Sequence, residues 1–262
     1  MQKLSLRQCA ELARQYDFTR LVSQPGYNSK FLKAIGFHNA GISLAPARTS
    51  GHQVCAASGK CRAPCVAHTG RAEYDPGRIK RSRIGRTKLF FEDRELFWRI
   101  LQAECWMTQR AADRLGIPVA FRPNTFSDLD WPGLMPALFT EFPAWHFYGY
   151  SKVRRTFLDY AAGKLPGNYH ITASWSERMT VSEAKALVRD GVNVAVPFFD
   201  RETMRGTIPE EWNNLKVIDG DHDDLRFRDP VGCIVGLRTK LPKTRVKAIA
   251  RIRQSDGFFV GV

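Results

Sequence analysis

The stretch that decides the architecture is PVAFRPNTFSDLDWPGLMPALFTEFPAWHFYGYS (118–151). Its apolar start, PVAFRPN (118–124), reads as a strand, MPALFTEF (135–142) as a short helix, and the aromatic WHFYGYS (145–151) as a second strand. Polar residues fill the turn between the first strand and the helix. Strand, polar loop, helix and strand in that order make a parallel βαβ unit.

Working outward, the same alternation recurs. On the N-terminal side, GISLAP (41–46) reads as a buried strand, and residues 91–115 carry an apolar stripe at helical spacing through Leu96, Phe97, Ile100, Leu101, Cys105 and Ala111. Gly116 and Pro118 end that helix. On the C-terminal side, YHITASWS (169–176), NVAVPFF (193–199), LKVIDGD (215–221) and GCIVGLR (232–238) read as strands. A helix lies between the first two, VSEAKALVRDG (181–191), with Ser182 as a candidate cap and Gly191 as its stop. Seven strands of this kind predict an α/β fold, a full or partial parallel barrel, with a doubly wound open sheet as the alternative. The expected organisation is one domain over 1–262: a helical N-terminal extension (1–40), a barrel-like core (41–238) and a basic C-terminal segment (239–262).

In such folds the loops after strand C-ends converge on the site. That edge gathers Asn124 and Asp128, Lys152, Ser174 and Glu177, and Asp219 and Asp221 as candidate catalytic residues, with Arg48, Ser50 and Arg71 as candidate cofactor-binding residues. Each has a purely structural alternative. Asn124 and Asp128 can form an Asx-turn. DGDHDD (219–224) can hold a divalent cation, or be an acidic turn neutralised by Arg226 and Arg228. Tyr148 and Lys152 have the spacing of a tyrosine nickase without its His-x-His pair, and His170 with Ser174 offers a nucleophile pair without a nucleophile elbow.

The densest chemistry is GHQVCAASGKCRAPCVAHTGR (51–71), spaced C-x5-C-x3-C. Thiolates from Cys55, Cys61 and Cys65 suit zinc or iron. With His52 or His68 they would close a structural zinc site; alone they would hold a four-iron cluster with one iron open. The other cysteines, Cys9, Cys105 and Cys233, are scattered.

Charge sets the expected partner. Forty Lys and Arg against 26 Asp and Glu give a net +14, concentrated in 71–88 and 238–253. Such an excess attracts polyanions, nucleic acid foremost, and Phe90, Phe91 and Trp98 beside the first run are candidates to stack on bases. No run of about 18 apolar residues is present, which predicts no transmembrane helix. The N-terminus reads as an amphipathic helix, not a signal peptide, which predicts a cytoplasmic protein.

The segments ISLAPARTSG, RIKRSRIGRT, NTFSDLDW, HFYGYSK, NYHITASWSE and VIDGDHDDLRFRDPVGCIVGLR, spanning about 41–238, resemble a family of phage and plasmid proteins named for a phage gene product numbered eighty-eight. That resemblance carries no activity over. In architecture, a cysteine loop after the first strand of a partial barrel is similar to radical S-adenosylmethionine enzymes. It implies a [4Fe-4S] cluster on Cys55, Cys61 and Cys65, with S-adenosylmethionine on the open iron. The spacing departs from that family's C-x3-C-x2-C, and its Gly-Gly-Glu motif is missing. The expected function is an iron–sulfur enzyme acting on or near nucleic acid. The alternatives are a non-enzymatic DNA- or RNA-binding protein with structural zinc, and a divalent-metal nuclease or replication nickase.

Overall fold

The computed structural model describes residues 4–25, 34–68, 76–241 and 245–262. All seven expected strands form, and among the described residues ten strands, mostly parallel, alternate with helices in a mixed α/β arrangement. The chain divides into two compact units, 1–56 with 67–149 and 57–66 with 150–262.

In the first unit, a capping box between Ser5 and Gln8 starts helix α1 (Leu6–Arg14). Strand β1 (Val22–Ser23) runs antiparallel to β2 (His38–Ile42), and β2 runs parallel to β3 (Val119–Arg122) with His38 beside Val119 and Gly41 beside Arg122. Strand β2 begins three residues before the expected GISLAP because His38 N–H finds the Pro118 carbonyl. It ends at Ile42, four residues short of Pro46. Strand β3 pairs in parallel with β4 (His146–Ser151), which carries the chain into the second unit.

The arginine-rich run folds as helix α2 (Pro76–Glu92), and Asp93 accepts the Leu96 N–H to cap a new helix, α3 (Arg94–Leu115). Gly116, at φ 63°, closes α3 as expected. Short helices α4 (Trp131–Leu134) and α5 (Ala137–Glu141) lead to β4. One face of the sheet in this unit is aromatic: Phe121 meets Trp145 and Phe147, and Phe139 meets Phe147. Phe90 packs edge-on to Phe97 and beside Trp131, and His52 covers Phe91. Phe90 is therefore core, and Phe91 is occupied; neither stands open to a base.

In the second unit, helix α6 (Arg154–Ala161) precedes β5 (Tyr169–Ser174), and α7 (Val181–Arg189) precedes β6 (Val194–Phe199). The α7 cap is Thr180, in a capping box with Glu183, and not Ser182. Strands β5, β6, β9 (Ile234–Arg238) and β8 (Leu215–Asp219) pair in parallel in that order, and β7 (Glu211–Trp212) closes antiparallel on β8. Helix α8 (Arg245–Gln254) is followed by β10 (Val260–Gly261), which pairs with β6 at Phe198 and Phe199. Within neither unit does this order close on itself among the described residues. No helix among them is long and apolar enough to cross a membrane.

Candidate functional site

The six cysteines fall into two chemical groups. Cys9, Cys105 and Cys233 are buried. Burial raises the Cys9 and Cys233 thiols to about 11, with Glu104 adding at Cys9 and Asp229 at Cys233; Cys105 rises for the same reasons. These are neutral core groups. Cys55, Cys61 and Cys65 are half-exposed thiols in the loop that follows β2.

That loop is built in stages. In the first unit, Ala47 takes a left-handed φ of 50°, Thr49 turns back to the Pro46 carbonyl through N–H and Oγ1, and the Ser50 hydroxyl accepts the His52 N–H. Val54 is buried, donates to the Ala47 carbonyl and accepts the Asp128 N–H at 2.7 Å. Cys55 Sγ then donates to the Phe126 carbonyl at 3.4 Å. The His52 ring lies parallel to Phe91 at 4.4 Å, so packing fixes its plane. Arg48 is exposed at this turn, and Arg71 lies outside the described residues.

In the second unit, residues Gly59–Arg62 form a 3-10 turn, and Cys61 donates its N–H to the Ser58 carbonyl. Glu177 holds this turn: its Oε1 accepts the Lys60 N–H at 3.1 Å, and a Cβ at Gly59 would overlap the carboxylate. Among the described residues, no three His, Cys, Asp or Glu side chains stand together as a metal-holding group.

Three of the expected catalytic residues lie around β5. Lys152 Nζ donates to Ser174 Oγ at 2.8 Å and lies 5.2 Å above the Phe258 ring. Trp175 Nε1 donates to the Gly257 carbonyl, and Glu177 follows two residues on. Lys152 and Ser174 thus join a cation and a hydroxyl at the end of β5, while the Glu177 carboxylate is engaged at Gly59 and Lys60. His170 is elsewhere on the strand, with its ring against Tyr160. Four residues of strand put it about 13 Å from Ser174 along the chain, which removes the nucleophile pair.

The remaining candidates are engaged in the fold. Asn124 Oδ1 accepts from Ser127 Oγ, Leu129 N–H and Trp131 Nε1, and its amide donates to the Leu129 carbonyl. Asn124 is therefore the organiser of its loop. Arg238 grips Asp219 through two bonds of 3.0 Å and reaches Asp221 at 3.5 Å. That guanidinium occupies the oxygens a divalent cation would use. Arg226 pairs with Asp223 and Asp229, and Arg228 with Asp223. Arg226 is buried, and burial lifts Asp229 to about 6 against the Arg226 charge. The acidic run is an arginine receptor. Tyr148 is fully buried, with its hydroxyl on Asn39 Oδ1, out of reach of a DNA strand.

Two buried polar groups escaped the sequence reading. Glu104 sits inside the apolar stripe of α3 and accepts the N–H groups of Leu21 and Val22. Asn39 and Arg122 lie on the sheet face opposite the aromatics. Only strand register, which no local pattern announces, places them together.

Fold and loop together define a mixed α/β protein with mostly parallel strands and a cysteine-bearing loop after an early strand. The model of the family described as Gene product 88 matches residues 11–255, and the chain belongs to that family. No curated protein and no solved structure matches it, so the likeness to radical S-adenosylmethionine enzymes gains nothing from these comparisons.

Proposed function

We propose that the chain is an iron–sulfur protein of the phage gene-product family, with Cys55, Cys61 and Cys65 as ligands, acting enzymatically on or near nucleic acid. The observation that carries this reading is the division of the cysteines: the three scattered ones are buried and held neutral, whereas the three in C-x5-C-x3-C are half-exposed on a loop of small residues. Binding of a metal would order its own ligands. Cys55, Cys61 and Cys65 would hold an iron–sulfur cluster, and with no fourth protein ligand it would offer one iron to a substrate or to S-adenosylmethionine. The residues of this chain do the rest. Glu177 fixes the turn between the first two cysteines, and Lys152 with Ser174 offers an oxyanion-binding pair at the end of β5. Reduced thiols of this kind belong in a cytoplasm.

Nucleic acid as the partner rests on the exposed cations Arg78, Lys80, Arg81 and Lys88 of α2 and Arg245, Lys247 and Arg253 of α8. The deciding experiment is iron and acid-labile sulfide analysis of anaerobically purified protein. A brown protein with both, lost in the Cys55→Ala/Cys61→Ala/Cys65→Ala variant, is expected. Stoichiometric zinc without sulfide would turn the reading to a structural zinc site, and a metal-free protein would end it.

A further inference from the structure

Helix α2 turns one side to solvent and the other to the first unit. Gly77, Lys80, Arg81, Ile84 and Lys88 follow one another at helical spacing and form one stripe along it. Lys80, Arg81 and Lys88 are exposed, and Ile84 between them is half-buried. From Lys80 to Lys88 the stripe is about 12 Å long. No acidic residue occurs between Pro76 and Phe91. Among the described residues, none of the three cations forms an ion pair. The stripe has no hydroxyl, amide or aromatic side chain. Of the aromatics on this helix, Phe90 is core and Phe91 lies under His52.

The opposite side fixes the helix. Leu89 and Phe90 are buried, Thr87 Oγ1 accepts the Ala45 N–H at 2.9 Å, and Arg86 Nε donates to the Arg20 carbonyl at 2.9 Å. Gly85 lies so close to the Tyr16 carbonyl that a Cβ would overlap it. A partner therefore meets cations on a backbone that is already ordered, which lowers the entropy lost on binding. Helix α8, in the second unit, is different. Arg245 donates to the Glu202 carbonyl at 3.3 Å, and Val246, 79% exposed, separates it from Lys247.

We infer that the stripe of α2 is the face on which the protein lies along the backbone of double-stranded DNA, without reading its base sequence. The inference rests on the nucleic-acid half of the proposed function and not on the metal centre. A DNA duplex carries one phosphate charge per about 1.7 Å of axis, about twice the density of either strand in it. A face that offers charge and nothing else favours the denser partner. Single strands are held by bases stacked on open aromatics, which this stripe lacks. Duplex RNA is told from DNA through its 2′-hydroxyls, for which the stripe has no hydrogen-bonding amide or hydroxyl. Contacts to phosphate position a protein on the duplex and carry no sequence information.

The test is fluorescence anisotropy of the anaerobically purified full chain with a short labelled DNA duplex in one fixed buffer. One strand of it, a duplex of different base composition and an RNA duplex of the same sequence are titrated alongside. The two DNA duplexes should bind alike, more tightly than the single strand and no more weakly than the RNA. Lys80→Gln/Arg81→Gln/Lys88→Gln should weaken duplex binding more than about tenfold. Arg245→Gln/Lys247→Gln/Arg253→Gln removes the same charge from α8 and should weaken it less than about threefold. Lys80→Arg/Arg81→Lys/Lys88→Arg keeps the charge and should bind as the native chain does. An α2 Gln variant that loses no more than the α8 variant overturns the inference, because that marks general attraction to a basic chain. So does a loss in the charge-keeping variant, or a preference for the single strand, the RNA or one base composition. Those outcomes leave nucleic acid as the partner, whereas a native chain that binds none of the four removes the partner as well. Iron and sulfide in the same samples should not change with these variants and report on the cysteine centre separately.

Discussion

Gly59 lies against the Glu177 carboxylate so closely that no Cβ fits between them, and the next N–H, that of Lys60, donates to the same carboxylate at 3.1 Å. Gly59 also has a φ of 45°, where other residues are strained. Gly59→Val and Glu177→Ala should each loosen the turn that carries Cys61, at a cost of about 1–3 kcal/mol locally. The expected outcome is a folded protein with reduced iron content. Iron per chain, together with amide exchange at Cys61, checks it; full iron loading in Glu177→Ala would mean the carboxylate does not position the loop.

Glu104 should make stability depend on pH. Burial raises its carboxyl to about 7 from an ordinary 4.5, although the N–H groups of Val22 and Leu21 and the charges of Arg86 and Arg20 favour the ionised form. Between those pH values the folded chain keeps a proton that the unfolded chain has released. Its contribution is thus complete below pH 4.5 and is lost as pH rises through 7, by roughly 3 kcal/mol at most. Asp229, raised to about 6, adds in the same direction, so the Glu104 share is the difference between the native chain and Glu104→Gln. Denaturant midpoints at pH 5 and pH 7.5 give it; identical slopes in the two proteins would contradict the assignment.

Gly85 sits in the middle of α2, where alanine is normally better by about 1 kcal/mol. Here a Cβ would overlap the Tyr16 carbonyl oxygen and crowd the Phe18 ring. Gly85→Ala should therefore destabilise by more than about 2 kcal/mol. Thermal unfolding decides the sign, and a more stable variant would show that helix and loop do not meet this closely.

Asp219 and Asp221 should behave as partners of Arg238 and not as metal ligands. The pair with Asp219 is about half exposed on both sides, and the Arg238 bonds hold the Asp219 carboxyl below its usual range. Asp219→Ala should cost less than about 1 kcal/mol. Magnesium should leave the unfolding temperature of the native chain unchanged. A magnesium-dependent rise that Asp219→Ala removes would restore the cation reading.

The strands were legible because each carries a short, largely apolar or aromatic run near Gly, Pro or Asp, uninterrupted by polar residues in β6 (VAVPFF) and broken by them in β5 and β8; β5 and β6 differ from the expected spans only at their ends. Strands β1, β7 and β10 were not, since two residues cannot display a period. The long helical reading over 91–115 missed the break at Asp93 because apolar spacing continues through it, and only the cap distinguishes two helices from one. At the site, Lys152, Ser174 and Glu177 were visible as polar residues after strands. Asn124, Asp219 and Asp221 have the same signature yet serve their own loops, because an Asx-turn and a ligand need the same side chain. Asn39, Glu104 and Arg122 are single polar residues in apolar runs, and only tertiary packing gives them meaning.

Two arginines of α2 are only partly exposed and spend their guanidinium groups on the fold. Arg86 donates to the carbonyls of Arg20 and Ser43, and Arg83 lies 4.2 Å over the Phe126 ring while bonding the Ala67 carbonyl. These side chains brace backbone, so they displace no counterions from a passing polyanion. Binding to DNA or RNA would consequently weaken with added salt less steeply than a formal +14 suggests. The slope of that dependence would count the cations that meet phosphate, and Arg83 and Arg86, spent on backbone carbonyls, would not be among them.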